Sequence, residues 1–321
     1  MLIDGHNDLA WAHRGAFGLD LRRGDVALPQ PRLHTDLPRL REGGVRGQLW
    51  AAYVPSTLPE PEAVVTTLEQ IDFVHRLVAR YDQLELATTA DEVERAVADG
   101  RLASLLSIEG GHSIGGSLAV LRQMHALGVR SMTLTHNDST AWADSATDTP
   151  IAGGLSGFGR TVVAEMNRLG MIVDLSHVAD TTMRDALEAT SAPAIFSHSN
   201  ARALCDVPRN VPDDVLALVP GNGGIVMATF VSFLVTTAPQ ATVEDVVAQL
   251  DYLREVVGVD HIGIGGDFDG ADEVTAGLED VASYPRLFDA LRARGWSAAE
   301  LDGLAGQNFL RVMRDVEAVA G

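Results

Sequence analysis

Lysine is missing altogether: the 24 basic side chains of this 321-residue chain are all arginines. Its absence excludes a Schiff-base or pyridoxal lysine, a phosphate-loop lysine and a carboxylated-lysine metal bridge. The abundance of alanine, arginine and valine makes GC-rich coding its plainest source. Cysteine is limited to Cys205, so neither an internal disulfide nor a thiolate-rich zinc site can form. No window approaches the roughly 18 apolar residues that would cross a membrane. The start, Met1-Leu2-Ile3-Asp4-Gly5-His6, lacks the basic segment of a signal peptide, so a soluble cytoplasmic protein is the expectation. Positive charge is scarce overall, with 24 Lys+Arg against 44 Asp+Glu and a net charge of −20. That balance repels phosphates, which argues against nucleic acid and anionic membrane as partners, and it suits multivalent cations.

What the chain does have is a regular beat. At 46% hydrophobic and 21% charged it can build a sizeable core. Eight short apolar runs recur, at 2–5, 48–54, 102–108, 129–135, 171–176, 192–197, 224–230 and 261–266. Runs without alternation suit strands buried on both faces, as in parallel sheets. The stretches between them have helical spacing, as in Val64, Leu68, Ile71, Val74 and Val78, with Asp91 and Asp180 as candidate N-caps. Eight strands alternating with helices predict an α/β fold, a (β/α)8 TIM barrel formed as one domain over 1–321. A loop insertion with a short helix is expected around 13–45 and helices around 283–319. A doubly wound open sheet is the alternative, disfavoured by the lack of G-x-G-x-x-G after the first strand.

The residues that end these runs carry chemistry. His6 and Asp8 end the first, Glu109 the third, His136 the fourth, His177 the fifth, His198 the sixth and Asp267 the last. In a barrel the C-terminal strand ends converge on one face, so residues far apart in sequence would share a pocket. Any one strand-end histidine is an ordinary structural residue; the joint pattern is not. Histidine and carboxylate without cysteine favour zinc, with manganese, iron or cobalt as alternatives. His6 and Asp8, two apart on a strand, would hold one ion and His177 and His198 a second, with Glu109 bridging. Two ions about 3.5–4 Å apart can hold a bridging hydroxide. Asp267 is then the general base and proton shuttle, and His136 an electrophile for the developing oxyanion. Trp142, Asp144 and His112 are weighed as neighbours of the pocket, Arg202 as the anchor of a loop carboxylate, and Cys205 as an inert thiol.

In this order the residues resemble the membrane (renal) dipeptidase family, M19, of binuclear zinc peptidases within the amidohydrolase-like barrels. The resemblance runs through DGHNDL at 4–9, SIEGGHSIGG at 107–116, LTHND at 134–138, DLSH at 174–177, FSHSNAR at 196–202, PRN at 208–210 and GGDFDG at 265–270. GQNFLRV at 306–312 resembles the family's C-terminal signature, and the likeness spans residues 2 to about 315. It implies His6 and Asp8 on the first zinc, Glu109 as bridge, and His177 and His198 on the second zinc. It further implies His136 at the tetrahedral intermediate, Asp267 as acid/base, and Arg209, which spacing alone does not single out, on the substrate carboxylate. It also implies hydrolysis of dipeptides by the bridging hydroxide, tolerance of a C-terminal D-residue, and in some members cleavage of β-lactams. Members often form dimers, so a homodimer is a further expectation, although no interface pattern is legible. Departures occur at Val207 before Pro208, at Gln307, and at Val231, where some relatives carry a tyrosine. These bear on substrate preference. The alternatives are an N-acyl-amino-acid or other amide hydrolase on the same site, a phosphoesterase, and a metal-binding barrel without catalysis.

Overall fold

Apolar runs without alternation must bury both faces. In the computed structural model, which describes residues 1–321, they do so in one sheet. The strands are β1 (Leu2–Asn7), β2 (Val45–Tyr53), β3 (Leu84–Leu86), β4 (Leu102–Glu109), β5 (Val129–Thr133), β6 (Ile172–Asp174), β7 (Ala194–Phe196), β8 (Ile225–Ala228) and β9 (Ile262–Ile264). They run in the order β2-β1-β9-β8-β7-β6-β5-β4, and a β2–β4 pairing closes the ring. The eight strands form the (β/α)8 barrel that the alternation predicts. The strand β3 is additional and pairs only with the lower end of β4, from Leu84↔Leu102 to Leu86↔Ser104. Its three residues, Leu-Glu-Leu, form no apolar run, so the sequence pattern does not show it.

The helix read from Pro61 to Tyr81 spans Glu60–Arg80, and the one read at 243–257 has those bounds. Two expected caps are displaced. Asp91 lies inside Ala90–Ala98, where Thr89 is the N-cap and its Oγ1 accepts from the Glu92 N–H; Asp180 opens its helix after Ala179. Both acids sit in a first turn, where the helix dipole favours them without a capping bond. The region 13–45 holds the expected short helix, Leu37–Glu42, capped by Asp36, and a second helix that the sequence pattern does not show, Leu9–Phe17, runs into it from the end of β1.

Below the polar strand ends the barrel is filled by apolar side chains. Ile3, Leu49, Leu105, Ile172, Ile195 and Ile225 fill it, and Phe309, Leu310 and Met313 of the last helix (Asn308–Val319) pack against this floor. Asn308 Nδ2 donates to Val259 O at 2.8 Å and Ile262 O at 2.9 Å, fixing that helix under β9. The motif at 306–312 is therefore the barrel's stopper, and the chemistry is left to the opposite end.

On the outer ring Glu165, of helix Gly157–Leu169, bonds Arg168 at 2.8 Å and reaches Arg122 of the neighbouring helix Leu118–Ala126 at 3.1 Å. The Arg168 hydrogen bonds, ahead of Arg122, hold its carboxyl down at about 2. A depressed folded-state pKa contributes stability that is present above the ordinary carboxylate range and is lost as pH falls toward 2. Glu165→Gln is expected to cost at most about 1 kcal/mol at pH 7, because both arginines are half exposed. The difference from wild type should shrink below pH 4 in urea melts. A cost that stays constant with pH would show that the ion pairs are not its source.

Candidate metal centre and substrate cavity

The barrel register gathers the strand-end residues. Tyr53 stands beside Glu109 across β2 and β4, and Glu109 beside Thr133 across β4 and β5. The ends of β1 and β9 are knitted by Asp8 N–H to Phe268 O at 2.9 Å and Asp267 N–H to His6 O at 3.2 Å. Glu109 is the hub. Its Oε1 lies 2.9 Å from His177 Nε2, 3.4 Å from His198 Nε2, 3.6 Å from His6 Nε2 and 3.7 Å from His136 Nε2. His6 Nε2 is 3.1 Å from Asp8 Oδ2 and 3.9 Å from Asp267 Oδ1, and His177 Nε2 is 2.9 Å from His198 Nε2.

Backbone geometry supports this convergence. His177 at φ 69° and Asp267 at φ 63° adopt the left-handed region, which non-glycine residues enter at a cost and which concentrates at functional sites. The glycines of GGDFDG permit close approach. A Cβ on Gly265 would sit 1.7 Å from Ser197 O, and one on Gly270 would sit 2.3 Å from Asp8 Oδ2. Neither position has room for a side chain without displacing the site.

Burial and charge pull the protonation of these groups in opposite directions. Burial, reinforced by neighbouring positive groups, pushes His177 and His198 well below the usual imidazole range, so both are neutral at pH 7. His136 is lowered mainly by burial. His6 behaves oppositely: burial works to lower it, yet Glu109 and Asp8 together raise it well above 6.5. Asp267 is raised well above the carboxylate range by burial and by Asp8 and Glu109, against the pull of His6 and Arg209. A metal fits these residues. Imidazole and carboxylate atoms of His6, Glu109 and His198, of Glu109, His136 and His177, and of His6, Asp8 and Asp267 each cluster within 4.8 Å, and Asp8 Oδ1 is buried without a hydrogen-bond partner. Cations would relieve the crowding of lone pairs and carboxylates at no cost in unsatisfied groups.

Over the cluster lies a cavity of about 850 Å³, lined by Asp8, Glu109, His136, His177, Arg209 and Asp267 among others, a size suited to a small molecule. Arg209 is 6% exposed, and its one hydrogen bond to protein, Nη1 to Ser199 Oγ, is long at 3.5 Å. Burial lowers its pKa only to about 10, so it stays charged at pH 7. A buried guanidinium with idle donors calls for an anionic ligand.

Several wall residues escape the sequence reading. Tyr53, Trp11, Asp138 and the half-exposed Phe233 line the same cavity, brought in by strand register and loop packing. Tyr53 packs against His136 with ring centroids 4.8 Å apart and planes tilted by 58°, and burial together with Glu109, Asp8 and Asp138 pushes its hydroxyl up to about 12, so it remains a donor. Conversely, Trp142 and Asp144 do not line the cavity. Trp142 is buried against Phe158, and Asp144 accepts from the N–H groups of Ile151, Ala152 and Gly154. His112 bonds Val54 O at 3.1 Å, not Glu109. Arg202 pairs with Asp180, and Cys205 is buried.

Comparison with known proteins agrees with this arrangement. The family profile "Membrane dipeptidase (Peptidase family M19)" matches residues 1–321. Mouse dipeptidase 3 is 47% identical over 325 residues, covering 99% of this chain, and human dipeptidase 3 is 46% identical. The chain spans 65% of the length of each. Among solved structures, a metallopeptidase from Rhodobacter sphaeroides, liganded with a phosphinate mimic of the dipeptide L-Ala-D-Ala, superposes with a TM-score of 0.89 at 28% identity, covering 98% of this chain and 99% of that one. A strand-end cluster of this composition, in this barrel, goes with a family match along the full length: the chain belongs to the membrane dipeptidase family, peptidase family M19.

Proposed function

We propose that this protein is a dipeptidase that hydrolyses the amide bond of dipeptides, including those ending in a D-residue, at a site holding two zinc ions. The observation that carries this reading is the placement of one buried, nearly unpartnered arginine, Arg209, on the same cavity as the Glu109-centred histidine cluster. His6, Asp8 and Glu109 would hold one ion, and Glu109, His177 and His198 the other. When bound, they supply an activated water and Lewis acidity toward the carbonyl. The rest falls to side chains of the chain. Arg209 holds the substrate's terminal carboxylate, which fixes the scissile amide one residue away. His136, neutral and packed against Tyr53, donates a hydrogen bond to the carbonyl oxygen as charge develops there. Asp267, on the edge of the cluster 3.9 Å from His6 Nε2, takes the proton of the attacking water and passes it to the leaving amine. The D-residue enters this proposal through the ligand of the Rhodobacter relative.

A panel of L-X-D-Y and L-X-L-Y dipeptides, their C-terminal amides, and N-acyl amino acids tests it. Free dipeptides should turn over. Amidation, like Arg209→Met, should lower kcat/KM by about 10²–10³-fold, the loss expected when one partner of a buried charge pair is removed. Turnover confined to N-acyl amino acids would overturn the dipeptidase reading, and equal rates for acids and amides would remove Arg209 from substrate recognition.

A further inference from the structure

We infer that Asp174 and Ser197 form a relay that sets the tautomer and orientation of His198, making them positioning residues for the metal centre. Asp174 ends β6 and is 3% exposed. Its Oδ1 accepts the backbone N–H groups of Ser176 at 3.1 Å and Ser197 at 3.0 Å. Its Oδ2 accepts the hydroxyls of Thr133 at 2.7 Å and Ser197 at 2.6 Å. A carboxylate is acceptor-only, with about four lone-pair sites, and here each faces a donor. The Ser197 hydroxyl proton is therefore committed to Asp174.

That commitment decides the next bond. Ser197 Oγ lies 2.7 Å from His198 Nδ1 and, its proton spent, can only accept there. His198 consequently carries its hydrogen on Nδ1 and keeps the lone pair on Nε2. Nε2 is the atom that faces Glu109 Oε1 at 3.4 Å and His177 Nε2 at 2.9 Å. The relay aims the lone pair into the cluster, as an outer hydrogen bond does for a metal-ligating histidine. A second bond fixes the backbone, with His198 N–H donating to Ser176 Oγ at 3.0 Å. From there the hydroxyls continue through Ser199 Oγ, 3.2 Å from Ser176 Oγ, to Arg209.

The arrangement is particular to His198. His177 and His136 have buried Nδ1 atoms without a hydrogen-bond partner, so nothing comparable fixes their rings. Asp174 also ties three strand ends together, its own at β6, Thr133 at the end of β5 and Ser197 just past β7. One side chain thus holds both the spacing of the ends and the tautomer of the ligand.

The inference rests on His198 as a metal ligand, and the test separates the two. Zinc affinity of the purified full chain is measured by competition with a chromophoric chelator for wild type, Ser197→Ala, Ser197→Thr, Asp174→Asn and His198→Ala. The ring ¹⁵N shifts of His198 are recorded on the metal-free protein. Ser197→Ala should weaken one zinc by about 10–100-fold, with the metal-free thermal midpoint little changed, and Ser197→Thr should restore binding. Asp174→Asn should do more than weaken it. Its amide offers hydrogens to the hydroxyls of Thr133 and Ser197, frees the Ser197 proton for His198 Nδ1, and inverts the tautomer to Nε2–H. Wild-type zinc affinity in Ser197→Ala, or an Nε2–H tautomer in the wild type, would overturn the relay while leaving the site intact. Unchanged zinc binding in His198→Ala would overturn both the relay and the assignment of His198 as a ligand.

Discussion

Replacing Asp267 by asparagine is expected to lower kcat by about 10²–10⁴-fold while the protein keeps its metal. The two side chains have the same shape, and the left-handed backbone at Asp267 tolerates asparagine as readily as aspartate. The bond from its N–H to His6 O does not involve the side chain. What asparagine lacks is the ability to take and return a proton. Asp267 Oδ1 is 3.9 Å from His6 Nε2, on the edge of the cluster, whereas the atoms around Glu109 lie closer together. Metal content and steady-state kinetics on the same sample check this. A kcat within a few-fold of wild type would remove Asp267 from proton transfer, and loss of metal would make it a ligand instead.

A larger effect is expected at Glu109. Its Oε1 is within 3.7 Å of four imidazole nitrogens, so it is the one carboxylate that both ions would share. Glu109→Gln removes that charge and sets an amide among the four rings. Metal affinity should fall by more than the roughly 10–100-fold that an outer partner costs, and dipeptide turnover should fall to background. Thermal melts give an independent readout. Zinc at about 100 times its Kd stabilises a native state by about 2.7 kcal/mol, so added zinc should raise the midpoint of metal-free wild type and leave that of Glu109→Gln unmoved. An equal zinc-induced shift in both would show that Glu109 is not at the centre of the site.

The barrel was legible because both-face burial writes itself as continuous apolar runs such as Leu102–Ile108, and because six of those runs ended in a histidine or carboxylate. The fold then determines that such ends meet. The pattern fell silent where short local segments depend on tertiary pairing. The strand Leu84–Leu86 exists through its pairing with β4, and the helix Leu9–Phe17 begins immediately behind the polar His6-Asn7-Asp8. The cavity wall was the least legible part. Trp142 and Asp144 follow His136 in sequence, but the loop folds back on Asp144 and turns both inward, while Tyr53 arrives from β2 by register. Asp174 and Ser197 lay inside recognised motifs, yet their role depends on which of four donors meets which oxygen. Arg209 became interpretable chemically only when its burial and its single long hydrogen bond could be seen.

The most direct test of the account is to count metal per chain in protein purified without chelator, and to follow dipeptide hydrolysis through chelation and zinc restoration. The account predicts two ions per chain, turnover lost on chelation, and turnover regained as zinc returns. Full dipeptide turnover by metal-free protein, or failure of metal-replete protein to bind any ion, would contradict it.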